Sequence, residues 1–285
     1  MERKFPSIKL LLLSAAALLI FFSPLRGQNP LQKQFDMAER LYNEGLYFDA
    51  VTEYKRLQFF DSLKQYEYAS DFKIAMSYKM GGMFDNAILY FVKAEKSAPS
   101  PKEKYESEIQ NIRTNILRKT TPRALELLAK LEADPVNGSN LDEIHYWKGW
   151  AYMFGDDFAG AALEFSLSAQ GEELKNICLA TDAGKYSVTF AKVISYILPG
   201  AGEIYTGNYL QGILSLGWNL ASGYWMVSSF AEKKVLEGIL IGDLLFLRFY
   251  RGNIQNASKY AVEKNLEITN KTLFYIQNNY RGIKP

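Results

Sequence analysis

Two acids of this chain stand in apolar surroundings. Glu203 lies in Pro199-Gly200-Ala201-Gly202-Glu203-Ile204-Tyr205-Thr206-Gly207, and Asp243 lies in an apolar run from Val235 to Tyr250 that also carries Glu237 and Arg248. A carboxyl taken out of water keeps its proton to higher pH, which is one way proton-transfer sites are made. The same burial serves a structural hydrogen bond, and that is the expected use here. Other reactive groups are few: one histidine, His145, and one cysteine, Cys178. His145 sits beside Tyr146 and Trp147 as a packing side chain does, and nothing suits it to a Ser-His-Asp or Cys-His set. Cys178 sits in Ile177-Cys178-Leu179-Ala180, where a buried, inert thiol is expected. A lone Cys and a lone His build neither a metal cluster nor an internal disulfide. The paired acids Asp156-Asp157 fall at a helix-pair turn, where they cap or face water. The expectation is a non-enzymatic chain with no catalytic residue, cofactor, metal or small-molecule substrate.

The glycine run from Pro199 to Gly207 is the sharpest local motif. Three glycines in so short a stretch allow backbone angles closed to other residues and admit a close neighbour, while Pro199 ends the preceding helix. The run lacks the Gly-Lys-Ser/Thr ending of a phosphate loop, and no strand–helix–strand unit surrounds it. Nucleic acid is disfavoured as well. The chain carries a net charge of +2, of which +3 falls in residues 1–27 through Arg3, Lys4, Lys9 and Arg26 against Glu2, leaving the remainder near neutral.

The elements that position these residues begin with an address. A short basic start, an apolar run from Leu10 to Phe22 and a polar exit at Ser23 to Gln28 have the order of a secretory signal peptide over residues 1–27, cut after Gly27. An uncleaved anchor is the alternative, although a span needs about 20 apolar residues. The mature protein is then expected in the bacterial cell envelope, facing the periplasm.

Residues 28–170 repeat. Ala50, Ala87, Ala124 and Ala161 follow one another at intervals of 37 residues. Before them stand Gly45, Gly82 and Gly155, and four residues after them stand Tyr54, Phe91, Leu128 and Phe165. The small residue lets two helices approach, and the large one on the same face fills the seam. Ala38 and Ala75 with Leu41 and Tyr78 supply matching positions on the preceding helices, and Gly149 with Tyr152 does so in the fourth unit. The third unit lacks the small residue there. This pattern resembles the tetratricopeptide repeat, with three residues added to its usual length. The resemblance implies an all-α, right-handed solenoid of about four helix pairs. It also implies that first-helix side chains line a groove for a protein partner: Phe35, Glu39, Tyr42 and Asn43; Phe72, Met76, Lys79 and Met80; Tyr146, Trp150, Met153 and Phe154. Each of these could equally pack within the chain. An aromatic, Met-rich surface suits an apolar or helical segment.

Residues 171–185 read as a capping helix or linker, with a helix from Glu172 to Ala183. Residues 186–252 are apolar, and 253–285 form a helical tail leaning on the cap or a bilayer. Leu210 to Phe230 has no charge over 21 residues, which predicts a membrane span with Trp218, Tyr224 and Trp225 near headgroups. The motif Pro199, Gly200, Gly202, Glu203, Tyr205, Gly207 resembles the signature opening small bacterial two-transmembrane-helix domains, with Glu203 where that family has Gln. The expected function is a membrane-held envelope scaffold gripping a protein partner. The alternatives are a soluble periplasmic adaptor whose C-terminal helices cap the solenoid, and a transport-system accessory using Glu203 and Asp243.

Overall fold

The computed structural model describes residues 29–285, and the signal peptide expected over residues 1–27 lies outside them. All regular structure among the described residues is helical, so the all-α class holds. The chain divides into two compact units at Arg118.

The first unit holds α1 (Pro30–Asn43), α2 (Tyr47–Phe60), α3 (Glu67–Met80), α4 (Phe84–Ser97) and α5 (Pro101–Leu117), each packed on the next. Local sequence sets the starts. Asn29 Oδ1 accepts from Leu31 N at 3.1 Å ahead of Pro30, and Ser100 Oγ accepts from Glu103 N at 3.3 Å ahead of Pro101. Both pairings satisfy orphan amides while proline occupies a position that has no amide bond to lose. The core joins Ala38, Ala50, Val51 and Tyr54 to Ile74, Ala75, Tyr78, Ala87 and Phe91. Full burial of a ring such as Phe91 is worth about 1.5–3 kcal/mol, and the alanines set how closely the helices carrying these rings approach.

The second unit holds α6 (Thr121–Ala133), a 3₁₀ turn (Pro135–Asn140), α7 (Leu141–Phe154), α8 (Phe158–Ser166), α9 (Glu172–Ala183), α10 (Val188–Ile197), α11 (Ala201–Tyr205), α12 (Tyr209–Ala231), α13 (Val235–Ile241) and α14 (Leu247–Asn279). A π turn, Gly242–Phe246, joins α13 to α14 without breaking the helical path. α7 packs on α8 and α8 on α9, while α10, α11 and α12 all meet α14.

The repeat is obeyed at the level of single torsions. Gly45, Gly82, Lys119 and Asp156, each 37 residues after the last, take φ of +79°, +75°, +63° and +69°. A left-handed residue with a Cβ costs about 1–2 kcal/mol, so the helix-to-helix turn imposes this conformation at Lys119 and Asp156 against local preference. In the fourth unit it is Asp156, not the expected Gly155, that turns the chain. Asp157 caps α8 as expected, its Oδ1 accepting from Gly160 N at 2.8 Å. Ala50, Ala87, Ala124 and Ala161, together with Tyr54, Phe91, Leu128 and Phe165, are all fully buried. Gly149 admits the Phe165 ring, which would lie 2.6 Å from any Cβ placed there. The third unit puts Ile112 at that register and buries it too.

The span expected over Leu210–Phe230 is corrected: among the described residues no helix is long and apolar enough to cross a membrane. α12 has 23 residues, but Gln211, Asn219, four serines and three glycines dilute its apolar character. α13 runs only 7 residues before the π turn and carries Glu237.

Candidate functional site

The first-helix residues fall into two groups. Phe35, Tyr42, Phe72 and Met76 are half-buried against the core of the first unit, with Asn43 and Met80 exposed. The Phe35 ring lies 5.9 Å from Tyr54 and 5.4 Å from Tyr66, and Lys73 sits 5.0 Å over the Tyr42 ring. Glu39 is engaged internally: it accepts from the Tyr54 hydroxyl and, at 2.8 Å, from Lys73 Nζ. This pairing binds α1 to α3 and brings Phe35, Tyr42 and Phe72 onto neighbouring helices.

The second group leaves the surface. Lys79 is buried, with Nζ donating to Gln110 Oε1 at 3.1 Å. Loss of hydration, and then the Arg113 charge, push its ammonium down to about 7. Tyr146, Trp150 and Met153 are buried as well, and Phe154 is half-buried. These side chains pack within the chain, the alternative that the sequence left open beside the groove. Sequence periodicity marks the apolar side of a helix, but not what the rest of the chain lays over it.

The glycine-rich motif is a helix crossing. Gly200 takes φ +92°, and a Cβ there would meet Gly212 O at 2.1 Å. Gly202 is crowded from three sides, since a Cβ would fall 2.3 Å from Ser195 Oγ, 2.4 Å from Ala191 O and 2.5 Å from the Ala257 Cβ. Gly207 takes φ +81° ahead of α12. Pro199 ends α10, and Asn253 of α14 binds both sides of the break, accepting from Gly200 N at 2.8 Å and donating to Ser195 O at 3.4 Å. Tyr205 packs its ring 5.3 Å from Tyr186 and 5.1 Å from Phe190, and its hydroxyl accepts from Ser187 N at 3.2 Å.

Glu203 is fully buried at this crossing. Its Oε1 accepts from Ser215 Oγ at 3.1 Å, while Oε2 has no partner. Burial pushes its carboxyl above the ordinary value, and the Ser215 bond only partly opposes that. The folded chain therefore holds a proton that the unfolded chain releases, and stability falls as pH rises from about 4.5 through the raised value. Glu203→Gln removes that slope. The variant should lie close to the parent near pH 4 and exceed it at pH 8, because only the parent has a buried carboxyl that favours folding less once the unfolded chain ionises. Chemical denaturation across pH measures this, and a Gln variant less stable at pH 8 sinks the argument. Asp243, by contrast, is exposed on the π turn, so the pair of buried acids expected from sequence reduces to one.

His145 Nδ1 is hydrogen-bonded to Glu164 Oε2 at 2.8 Å, and Glu132 Oε1 lies 3.9 Å from Nε2. Cys178 is fully buried with Sγ 3.8 Å from Met153 Sδ, and burial pushes its thiol up to about 12, which leaves it unreactive.

Two cavities escaped sequence reasoning. One, of about 610 Å³, lies between α2, α3 and α4 and presents Lys64, Lys93 and Lys96 with Asp61, Glu67 and Asp71. The other, of about 760 Å³, lies between α12 and α14 and presents Arg248, Arg251 and Asp243 beside Trp218 and the buried Asn219. Their charged lining comes from polar helix faces, which in sequence look like any solvated face. No protein-family model matches this chain, and neither does any curated protein or solved structure.

Proposed function

We propose that this chain is a non-enzymatic scaffold of the bacterial cell envelope, built on tetratricopeptide-like helix pairs and held at a membrane by its C-terminal helices. The observation that carries the reading is the outer surface of α10, α12 and α13. Ile197 and Leu236 are 81% and 80% exposed, and Leu210, Ile213, Leu220 and Tyr224 stand open beside Trp218 and Trp225. An apolar surface of that extent needs a cover. Trp and Tyr among the aliphatic side chains suit the headgroup boundary. Helices that lie in that boundary give such a seat without crossing the bilayer. The first unit supports the partner-binding half of the reading, because Phe35, Tyr42, Phe72 and Met76 are clustered and partly open on α1 and α3.

The second reading is an adaptor whose C-terminal helix caps the repeats. It draws support from α14, where Thr272 Oγ1 lies 3.0 Å from Thr181 Oγ1 and Thr269 donates to Asp156 Oδ1 at 2.6 Å.

Flotation of the full chain with phosphatidylcholine–phosphatidylglycerol vesicles separates the two. The parent should float with the vesicles through carbonate washing, and Ile213→Glu combined with Leu220→Glu and Leu236→Glu should leave it in the dense fraction. A parent that stays behind as a monomer supports the adaptor and removes the membrane seat.

A further inference from the structure

The face of α7 that sequence assigns to a partner is already occupied. Tyr146 and Trp150 stand one helical turn apart on that face and are 3% and 2% exposed. Phe165 of α8 packs on both rings, 5.8 Å from Tyr146 and 6.3 Å from Trp150, and the segment after α14 packs on them as well. The helix ends at Asn279, and Tyr280 turns to extended backbone with φ −67° and ψ 128°. Its side chain enters the α7 face with its ring 6.2 Å from Trp150 and its hydroxyl 3.0 Å from the Tyr146 hydroxyl. The Tyr146 hydroxyl also donates to Ile283 O. Between these two anchors Arg281 and Gly282 are exposed, and Ile283 turns half of its surface outward.

This is how a peptide ligand sits. One aromatic side chain fills a slot, one backbone carbonyl three residues later is held by a side-chain hydroxyl, Arg281 and Gly282 between them face water, and Lys284 Nζ donates back to Gln277 O at 2.7 Å. The fit is also incomplete, because Trp150 Nε1 is buried beneath the segment with no acceptor. A buried donor left unmet is a cost that another occupant could relieve.

We propose that the Tyr146–Trp150 face of α7 is a peptide-binding site, and that residues 280–285 are its built-in occupant. The ligand that displaces them is an extended segment of another protein bearing a tyrosine at the place of Tyr280. It offers a carbonyl to Tyr146 and a further acceptor to Trp150 Nε1. Because the occupant is tethered, it competes as though present at about millimolar concentration, which keeps the site closed to chance peptides. The site belongs to the Lys119–Pro285 unit, so it stands or falls separately from the α1–α3 surface and from the membrane seat.

The test uses the full chain with the double substitution Tyr280→Gly and Ile283→Gly, and a labelled peptide Tyr-Arg-Gly-Ile-Lys-Pro read by fluorescence anisotropy. The opened chain should bind the peptide at least tenfold more tightly than the parent, and adding Tyr146→Phe should lose most of that gain. No binding to a helical, folded opened chain at about 5 mM peptide, above the concentration the tether supplies, overturns the proposal. If the opened chain fails to fold, hydrogen exchange of the parent decides. Exchange of the Trp150 indole N–H faster than the α7 core amides supports a displaceable segment, and exchange only with global unfolding makes it a fixed plug and overturns the proposal.

Discussion

Lys79→Met should stabilise the first unit at neutral pH. Lys79 is 8% exposed, donates to the neutral Gln110 oxygen, and feels the Arg113 charge. Its ammonium titrates at about 7 in the folded chain against 10.5 when exposed. Between those values the unfolded chain holds a proton that the folded chain has lost, so parent stability climbs with pH across that window. Below it the folded chain carries the full cost of a buried charge. Each unit of difference is worth about 1.4 kcal/mol, which sets a ceiling of about 5 kcal/mol. Methionine keeps the apolar stem and removes the charge, so its advantage should be largest at pH 6 and should close as pH approaches 10.5. Urea denaturation at pH 6, 8 and 10 reads this directly. A gap that does not narrow with pH would mean that lost packing or a new contact, not ionisation, sets the difference.

Gly202→Ala should be strongly destabilising. The added carbon would meet a backbone carbonyl of α10, the Ser195 hydroxyl and the Ala257 methyl of α14 within 2.3–2.5 Å. None of these is the free end of a long side chain, so relief requires α10 or α14 to move. Overpacking of this kind costs about 1–3 kcal/mol where one neighbour yields. Here three neighbours must yield together, and the Ser195–Gly202 bond of 3.0 Å is strained with them. The expected loss lies at or above the top of that range. Gly217→Ala is the matched control: it lies within α12 with nothing inside 4 Å of a Cβ. It should gain about 0.5–1 kcal/mol from helix propensity alone. Thermal unfolding of the pair in a mild detergent compares them, and equal midpoints would remove the glycine crossing as an explanation of the motif.

The repeat was legible because each unit solves the same packing problem with residues at fixed offsets. Ala50 and Tyr54 announce a buried helix face, and their equivalents are buried in all four repeats. The candidate site was legible only in part. Tyr42 and Trp150 look alike in sequence, as aromatics on the same face of a first helix. One lies half-open on α1, and the other is sealed by a segment 130 positions further along the chain. No periodicity carries that information, because the covering contact is long-range. The same holds for Lys79, whose position on a helix face predicts exposure until α5 brings Gln110 and Arg113 against it.

The sequence by itself determined the helical class, the 37-residue interval and the need for glycine at the Pro199–Gly207 break. Those follow from local sterics and the side-chain period, which act over a few residues. Only the tertiary structure decided which faces are open, that Lys119 and Asp156 must bend left-handed, that Glu203 is buried with one oxygen unmet, and that the chain covers part of its own first-helix surface. Burial is a property of what arrives from elsewhere in the chain, and a local pattern cannot report it.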